Sequence, residues 1–246
     1  MRSSTLILLI SSLLIFSLIP SVLIGQSQFQ TGFYGSFGIR SRNIWRGFDL
    51  LPDDQPVLQS TIGYKLGLSG LNAKLKVSSA LKDRSRLKNR DMVKDLDELL
   101  LTIDYSRPGE VLGWRIGINN YYYPRSDRTW DRYSPEIFLG LSLESIILFP
   151  KLTFYYDANL GDNFYALLSL GQFIPIGERL FTFRMQLGYN NGQFGVQRGI
   201  SNIDFQLSTD VYLSSFILRP MVGYVIIPEG TVNSENEIWF GLQLVF

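Results

Sequence analysis

Apolar and polar residues alternate along most of the chain after residue 28. In the last segment, 238–246, every second residue is apolar and the positions between them are mixed in character. The same division recurs in segments 181–190 and 203–208. Successive side chains of a β-strand point to opposite faces, so this period of two predicts strands with one uniformly apolar face. The pattern is typical of a transmembrane barrel, although a soluble β-sandwich alternates as well.

The alternating pattern divides into about twelve segments, most of them long enough to cross a membrane. A tilted transmembrane strand needs about 9 to 11 residues, whereas strands of soluble proteins usually have about five or six. We predict strands at 30–46, 57–68, 71–80, 95–105, 113–123, 133–145, 150–158, 163–172, 179–190, 201–212, 215–227 and 236–246.

The connections between these segments fall into two classes that alternate along the chain. Those that follow odd-numbered strands are mostly long and polar, at 47–56, 81–94, 124–132, 159–162, 191–200 and 228–235. Those that follow even-numbered strands are tight or apolar, at 69–70, 106–112, 145–149, 173–178 and 213–214. Short periplasmic turns and longer outer loops are typical of bacterial outer-membrane barrels. The sequence therefore predicts an all-β fold, a transmembrane antiparallel up-and-down β-barrel of about 12 strands, formed by residues 28–246.

The first 27 residues predict an export signal. Arg2 provides a positive charge, residues 6–19 are apolar apart from three serines, and Pro20 precedes small residues at Gly25 and Ser27. This arrangement is typical of a secretory signal peptide, cleaved near Gln28. The alternative is an uncleaved membrane anchor, because residues 5–25 are just long enough to span a bilayer. Together with the barrel pattern, the signal peptide predicts export through the periplasm to the bacterial outer membrane.

Composition excludes several kinds of chemistry. The chain has 246 residues and contains no histidine and no cysteine, which removes the commonest general base, the commonest metal ligand and any thiol nucleophile. Its 23 Lys and Arg residues nearly balance its 22 Asp and Glu residues, so a basic surface for nucleic acid is not indicated. We therefore predict that the protein is not an enzyme, has no cofactor or metal, and binds no nucleic acid.

The alternation also assigns a set of charged residues to the lumen. An Arg or Lys near the middle of the lipid-facing surface costs about 2–4 kcal/mol, so charged residues within strands are expected to point inward. Asp104, Arg115 and Glu136 fall on three successive strands and are candidates for an ion-pair ladder. The set would form either a polar conduit or a structural network that fills a small barrel. The predicted lumen-lining charges are Arg40, Lys65, Glu98, Asp104, Arg115, Glu136, Arg184, Asp204, Arg219 and Glu237, with Lys74, Lys76, Glu144, Lys151, Asp157 and Asp210 as further members.

Three other clusters are candidates for binding. Aromatic residues near strand ends predict girdles at the two membrane interfaces, and only the inward Tyr121, Tyr123 and Tyr155 are candidates for stacking on a sugar. The basic segment 82–94 is either a solvated loop or a site for the phosphates of lipopolysaccharide. The oxygen-rich segment 157–163 is either ordinary turn chemistry or a Ca²⁺ loop, and we predict the turn.

The terminal strand predicts a role in biogenesis. Outer-membrane barrels resemble one another in ending with apolar residues at alternate positions before a terminal aromatic residue, the segment read by the barrel-assembly machinery. The strand is also expected to close the barrel against the first strand. The predicted partners are outer-membrane lipid, lipopolysaccharide and the assembly machinery, and no oligomeric state is predicted. The residues of the predicted assembly signal are Ile238, Phe240, Leu242, Leu244 and Phe246.

Several short motifs indicate a family. The first strand leads into Trp45-Arg46-Gly47, residues 56–59 open the second strand with the sequence PVLQ, and the later motifs are NYYYP at 120–124 and SPE at 134–136. In these motifs the chain resembles a family of uncharacterised Gram-negative outer-membrane β-barrel proteins. The resemblance implies the fold and the location but no activity, and the basic segment 82–94 departs from the family pattern.

The predicted function is a small pore or channel-like barrel for small hydrophilic solutes. The alternative is a non-conducting barrel whose loops bind a cell-envelope partner or a surface ligand.

Overall fold

The computed structural model describes residues 31–51, 55–81, 96–124, 132–228, 232–233 and 235–246. The predicted signal peptide, residues 1–27, lies outside the described residues and stays a prediction. The long strands, labelled in chain order, are β1 (Gly32–Arg40), β2 (Val57–Leu66), β3 (Leu71–Ala80), β4 (Glu98–Arg107), β5 (Gly113–Tyr122), β6 (Tyr133–Ser142), β7 (Lys151–Asp157), β8 (Asn163–Ile176), β9 (Arg179–Asn190), β10 (Gly199–Thr209, continued by Val211–Leu213), β11 (Phe216–Ile226) and β12 (Glu237–Val245). Both parts of β10 pair with β11, so Asp210 interrupts one strand.

The sheet closes on itself to form a barrel. Each strand is antiparallel to the next one along the chain, and β12 returns to pair with β1. In the closing register Ser36 lies opposite Val245 and Arg40 lies opposite Gly241. Closure leaves no edge strand, so the backbone groups are satisfied within the sheet, as a structure in hydrocarbon requires. The predicted twelve-stranded, antiparallel up-and-down barrel is confirmed.

The two ends of the barrel differ in their connections. The connections at 67–70, 108–112, 143–150, 177–178 and 214–215 lie at one end, which we call the short-turn end. The connections that follow β1, β3, β5, β7, β9 and β11 start from the other end, which we call the long-loop end. The structure therefore has the alternation of turns and loops that the sequence predicts.

The outer surface of the barrel is apolar. Outward positions on β5 and β6 are occupied by Ile116, Ile118, Ile137 and Leu139, each between 43% and 55% exposed. Similar side chains are exposed on the other strands. Soluble proteins rarely expose an apolar patch larger than a few hundred Å², so this continuous surface requires lipid around it.

Aromatic pairs lie near both ends of this apolar surface. Tyr122 and Tyr133 stack near the long-loop end with ring centroids 4.8 Å apart. Tyr105 and Trp114 lie near the short-turn end with centroids 5.3 Å apart. Amphipathic rings at these two levels suit the membrane–water interfaces.

Short 3-10 turns occur at Gly67–Ser69 and Gln193–Gly195. Among the helices in the described part of the chain, none is long and apolar enough to cross a membrane.

Several predicted strand boundaries are wrong, and three of them have a clear structural cause. β1 ends at Arg40 and not at 46, because residues 41–51 turn into the barrel. β6 ends at Ser142 and not at 145, because residues 143–150 form a turn in which Leu148 and Phe149 have positive φ. β8 extends to Ile176, beyond the predicted 172, because its ladder with β9 continues past the last pair that it forms with β7.

Candidate functional site in the barrel lumen

A short hairpin lies inside the long-loop end of the barrel. Ile44–Trp45 pairs with Phe48–Asp49, and we call residues 41–51 the inner hairpin. Its turn consists of Arg46, with φ 53°, and Gly47, with φ 86°. Positive φ at both central residues is the type I′ geometry that suits a two-residue hairpin loop, and glycine adopts it without strain. A Cβ atom on Gly47 would lie only 2.7 Å from Cγ2 of Val232, so the packing also requires glycine.

Arg46 joins the inner hairpin to the barrel wall. Its side chain is 7% exposed, and its Nη2 lies 2.7 Å from Oε2 of Glu136 on β6. Its Nη1 donates a hydrogen bond of 2.9 Å to Oε1 of Gln193, in the connection after β9. A buried guanidinium is stable only when its charge finds a partner, and Glu136 provides that partner here.

Three aromatic rings surround the same guanidinium. The carbon at its centre lies 4.4, 4.5 and 4.4 Å from the ring centroids of Trp45, Tyr155 and Tyr165. Such cation–π contacts are worth about 2 kcal/mol when the cation is desolvated. Arg46 lies in a connection, outside the membrane-spanning strands. Burial acts to lower its pKa, but the charge of Glu136 and those of the tyrosines outweigh burial and raise it. The guanidinium therefore stays charged inside the barrel.

The inner hairpin contacts strands on all sides of the lumen. Ile44 packs beside an apolar cluster on β11 and β12 that includes Val225 and Trp239. Because the hairpin also contacts β2, β5 and β6, it crosses the lumen and narrows it. The polar and aromatic contacts are Arg42 with Glu237 on β12, Asn43 with Gln59 on β2, Trp45 with Tyr121 on β5, and Arg46 with Glu136 on β6.

Two cavities lie between the inner hairpin and the short-turn end. The cavity next to the hairpin has a volume of about 320 Å³ and is bounded by Trp45 and Arg46. The second cavity has a volume of about 430 Å³ and reaches Gly67, in the turn after β2. Lys74 and Arg115 line both cavities. Two polar cavities that share the side chains of Lys74 and Arg115 therefore lie between the short-turn end and the inner hairpin.

Three of the cations assigned to the lumen by sequence have neighbouring carboxylates as partners. Each pair joins adjacent strands, and two of the pairs are bidentate, the geometry that fixes a guanidinium most firmly. The pairs are Arg115 with Asp104 (2.8 and 2.6 Å), Arg219 with Asp210 (2.6 and 2.9 Å) and Lys76 with Glu98 (3.2 Å).

The candidate ladder of Asp104, Arg115 and Glu136 is wrong as a single network. Arg115 pairs with Asp104, but Glu136 contacts Arg46 and accepts a hydrogen bond of 2.9 Å from Nδ2 of Asn119. The register is the reason, because Glu136 lies opposite Asn119 while Arg115 lies opposite Gly140. Glu144 lies exposed in the turn after β6 and not on a strand.

Other charges in the lumen have no ion pair among the described residues. Arg40 lies over the ring of Trp239 at 4.7 Å, and Lys65 lies 5.2 Å from the ring centroid of Tyr34. Asp204 accepts a hydrogen bond of 3.1 Å from Asn202, while its Oδ1 is buried and finds no hydrogen-bond partner in the part of the chain described. The lumen cations without an ion pair are Arg40, Lys65, Lys74, Lys151 and Arg184.

The tyrosines considered for sugar stacking have protein partners instead. Tyr121 contacts Trp45, and Tyr123 stacks on Tyr121 with centroids 6.2 Å apart. Tyr155 lies under the guanidinium of Arg46. The inner hairpin therefore covers part of Tyr121 and Tyr155, which also line the cavity next to it.

The two candidate loops have different outcomes. In segment 157–163 the carboxylate of Asp157 accepts hydrogen bonds from Oγ of Ser134 (2.8 and 2.6 Å) and from the backbone N–H of Asn159 (2.8 Å), which is turn chemistry. Within the described ranges, no group of three acidic side chains is placed to hold a metal ion. The basic segment 82–94 lies outside the described residues.

The sequence analysis missed the inner hairpin and the residues that receive it. Gln193 and Asn190 are fully buried, and Oδ1 of Asn190 accepts a hydrogen bond of 2.6 Å from the backbone N–H of Gln193. This contact orients Gln193 toward Arg46. A partial signal was present, because Gly47 suits the second position of a two-residue hairpin turn, although arginine is not typical of the first position. The alternation that continues through residue 46 obscured it.

The terminal strand places its apolar residues on the outside of the barrel. Ile238, Phe240 and Leu242 are exposed there. Phe246 exchanges backbone hydrogen bonds of 2.9 and 3.0 Å with Gly35, and its ring lies where a side chain on Gly35 would project. Recognition of this strand by assembly machinery stays a prediction.

A closed antiparallel barrel with an apolar outer surface and a charged interior defines a class, the transmembrane β-barrels of the outer-membrane type. Two solved structures are similar to this chain. One is the NanC porin in a rhombohedral crystal form, with 10% sequence identity and a TM-score of 0.51, covering 87% of this chain and 99% of that chain. The other is the KdgM porin in complex with disordered oligogalacturonate, with 9% identity and a TM-score of 0.54, covering 87% of this chain and 98% of that chain.

These likenesses show the fold. No family model and no curated protein matches the sequence. The resemblance to a particular family of uncharacterised barrels therefore stays a prediction.

Proposed function

We propose that this protein is a channel of the bacterial outer membrane for small hydrophilic solutes, and that the inner hairpin is its constriction. One observation carries the proposal: two polar cavities that share the side chains of Lys74 and Arg115 lie one after the other between the short-turn end and the inner hairpin. Their volumes, about 320 and 430 Å³, are in the range of small-molecule sites. The porin fold of the two structural neighbours supports the same function, and the proposal includes no catalytic step.

A second function is favoured by the anchoring of the inner hairpin. The ion pair of Arg46 with Glu136 is buried, and the hairpin contacts strands on all sides of the lumen. A hairpin held this firmly would close the lumen permanently. The barrel would then be non-conducting, and its loops would bind a cell-envelope partner or a surface ligand.

Removal of the inner hairpin separates the two functions. The backbone N–H of Leu50 donates a hydrogen bond of 3.1 Å to the carbonyl of Asn43, so the ends of segment 44–49 are adjacent. This segment can be replaced by two glycines, together with Glu136→Gln so that no carboxylate is left unpaired. Single-channel recording in planar bilayers is expected to show unitary steps for the natural protein and larger steps for the shortened variant.

The matched control is Glu136→Gln with an intact inner hairpin. It distinguishes the effect of removing the charge of Glu136 from the effect of removing the hairpin. Steps in the shortened variant alone would show that the hairpin seals the lumen, and would favour the non-conducting barrel. An absence of steps in every variant, over a range of salt concentrations, would exclude the channel.

A further inference from the structure

Six lumen cations lie on the six odd-numbered strands, and β3 has a further lumen cation, Lys76, that is paired with Glu98. They are expected on the inner face from the alternation of each strand. Because alternate strands surround the whole barrel, these cations do so as well. We call them the cation ring: Arg40 on β1, Lys74 on β3, Arg115 on β5, Lys151 on β7, Arg184 on β9 and Arg219 on β11.

Members of the cation ring are close enough for their charges to repel one another. Lys74 and Arg115 line the same two cavities, and Lys151 lies beside Gly140, the residue opposite Arg115. The charge of Lys151 is repelled by those of Arg115, Arg184 and Lys74, and Asp104 attracts both lysines. Arg184 in turn interacts with Arg219 and with Arg40. These interactions link all six members, so the ring is a continuous electrostatic feature of the lumen.

Among the residues that the structure describes, only two members of the cation ring have an ion pair. Asp104 pairs with Arg115, and Asp210 pairs with Arg219. In the same part of the chain, Arg40, Lys74, Lys151 and Arg184 have no carboxylate at ion-pair distance. Asp204 shares a cavity wall with Arg40 and Arg184, and Asp104 also attracts Lys74 and Lys151, but these two carboxylates do not balance the cations around them.

Uncompensated like charges held together destabilise the folded barrel, so their arrangement requires a reason. Rings of Arg and Lys side chains are the means by which pores select anions and phosphates. Both residues form charge-assisted hydrogen bonds to carboxylate and phosphate oxygens. The cations stand on different strands, so a solute with several anionic groups engages more of them than a monoanion does.

We infer that the cation ring is a binding site for small polyanions, solutes that carry two or more carboxylate or phosphate groups. The inference rests on the proposed function, because it concerns the same lumen, and it names the class of solute. Lys151 and Arg184 form the centre of the site, and Lys74 extends it toward the cavity that reaches the short-turn end.

The test is isothermal titration calorimetry on the full chain in detergent micelles, which requires no conduction. The probes are citrate for polycarboxylates, pyrophosphate for phosphates, and acetate as a monoanion. We expect at least one polyanion to bind about tenfold more tightly than acetate, because several charge-assisted contacts replace one. The stronger of the two polyanions identifies the anionic group that the ring prefers.

Charge-neutralising variants locate the site. Lys151→Gln and Arg184→Gln are each expected to weaken polyanion binding about tenfold, the effect of losing one charge-assisted contact. The matched control is Lys76→Gln, a lumen lysine whose charge is already compensated by Glu98, and it is expected to bind as the natural protein does. Retained circular dichroism and heat-modifiable migration establish that each variant is folded.

Two results would overturn the inference. One is the absence of binding of both polyanions at millimolar concentration, and the other is an equal loss of affinity in Lys76→Gln and Lys151→Gln, which would indicate general charge screening. Binding without conduction would support the site and reject the channel. Conduction without binding would reject the site and leave the channel standing.

Discussion

Arg46 brings a charged group into the lumen, and the position of the inner hairpin depends on how that group is satisfied. Its two terminal nitrogens reach Glu136 and Gln193, while three aromatic rings cover its faces. A planar guanidinium can make all these contacts together, whereas the compact ammonium of lysine cannot.

Replacement of Arg46 tests this anchoring. Arg46→Leu leaves Glu136 buried without its partner, and we expect the free energy of unfolding to fall by about 3–5 kcal/mol. Arg46→Lys keeps the charge but loses part of the contact geometry. Its free energy of unfolding should therefore lie between those of the natural protein and Arg46→Leu. Urea titration of the protein in micelles measures these differences, with Arg179→Leu at the exposed start of β9 as control.

The double variant Arg46→Leu with Glu136→Leu completes a cycle that isolates the interaction between the two residues. If the two single changes were additive, or if Arg46→Leu were as stable as Arg179→Leu, the ion pair would not anchor the hairpin.

At the scale of elements, β12 and the inner hairpin show how far an alternating pattern can be interpreted. The alternation of β12 predicts its faces, and the structure places its exposed apolar side chains outside. The same pattern continues from β1 into residues 41–46, yet there the chain leaves the sheet. Alternation describes which side chains share a face, but it does not show what lies against that face.

A pair of neighbouring changes in the terminal strand tests its predicted role in biogenesis. Phe246→Ala removes the terminal aromatic residue, and Val245→Ala removes an apolar side chain of the same strand that points inward. We expect Phe246→Ala alone to lower the amount of folded, heat-modifiable protein in the outer membrane. Equal amounts for the two variants would contradict an assembly signal.

Refolding of both variants into lipid vesicles without assembly machinery is the control for packing, because the ring of Phe246 also lies beside Gly35. If the folding defect of Phe246→Ala disappears in vesicles, its cause is the loss of recognition by the assembly machinery. If the defect persists there, its cause is the loss of the contact between Phe246 and β1.

At the scale of the whole molecule, the barrel separates two solvents. The outer surface exposes aliphatic side chains continuously, whereas the lumen contains the ion pairs and the cation ring. Each strand contributes to both environments, so adjacent residues of one strand have opposite tolerance for charge.

Two adjacent residues of β2 test this separation. Ile62 is 47% exposed on the outer surface, and its neighbour Thr61 lines a cavity in the lumen. Ile62→Arg is expected to lower the free energy of unfolding in vesicles by about 2–4 kcal/mol, and Thr61→Arg by less than about 1 kcal/mol. Equal effects of the two changes would show that the assignment of faces on β2 is wrong.

Prediction from sequence succeeded where a single strand carries the information. The period of two, the strand lengths and the alternation of turns and loops predict the twelve-stranded barrel, and the inward positions of residues such as Lys74 and Arg184 follow from the same period. The sequence did not predict which residues these inward side chains contact. Arg115 and Glu136 are neighbours in the sequence of strands, but the register places them four residues apart.

The sequence by itself determined that this chain forms a barrel, because lipid admits only side chains without charge and a strand shows this restriction at every second residue. The tertiary structure alone decided that residues 41–51 enter the lumen, that Glu136 pairs with Arg46, and that four cations of the ring have no ion pair within the described ranges. These outcomes depend on strand register and barrel closure, which bring together residues far apart in the chain. A local pattern of residues does not show which distant residues come into contact.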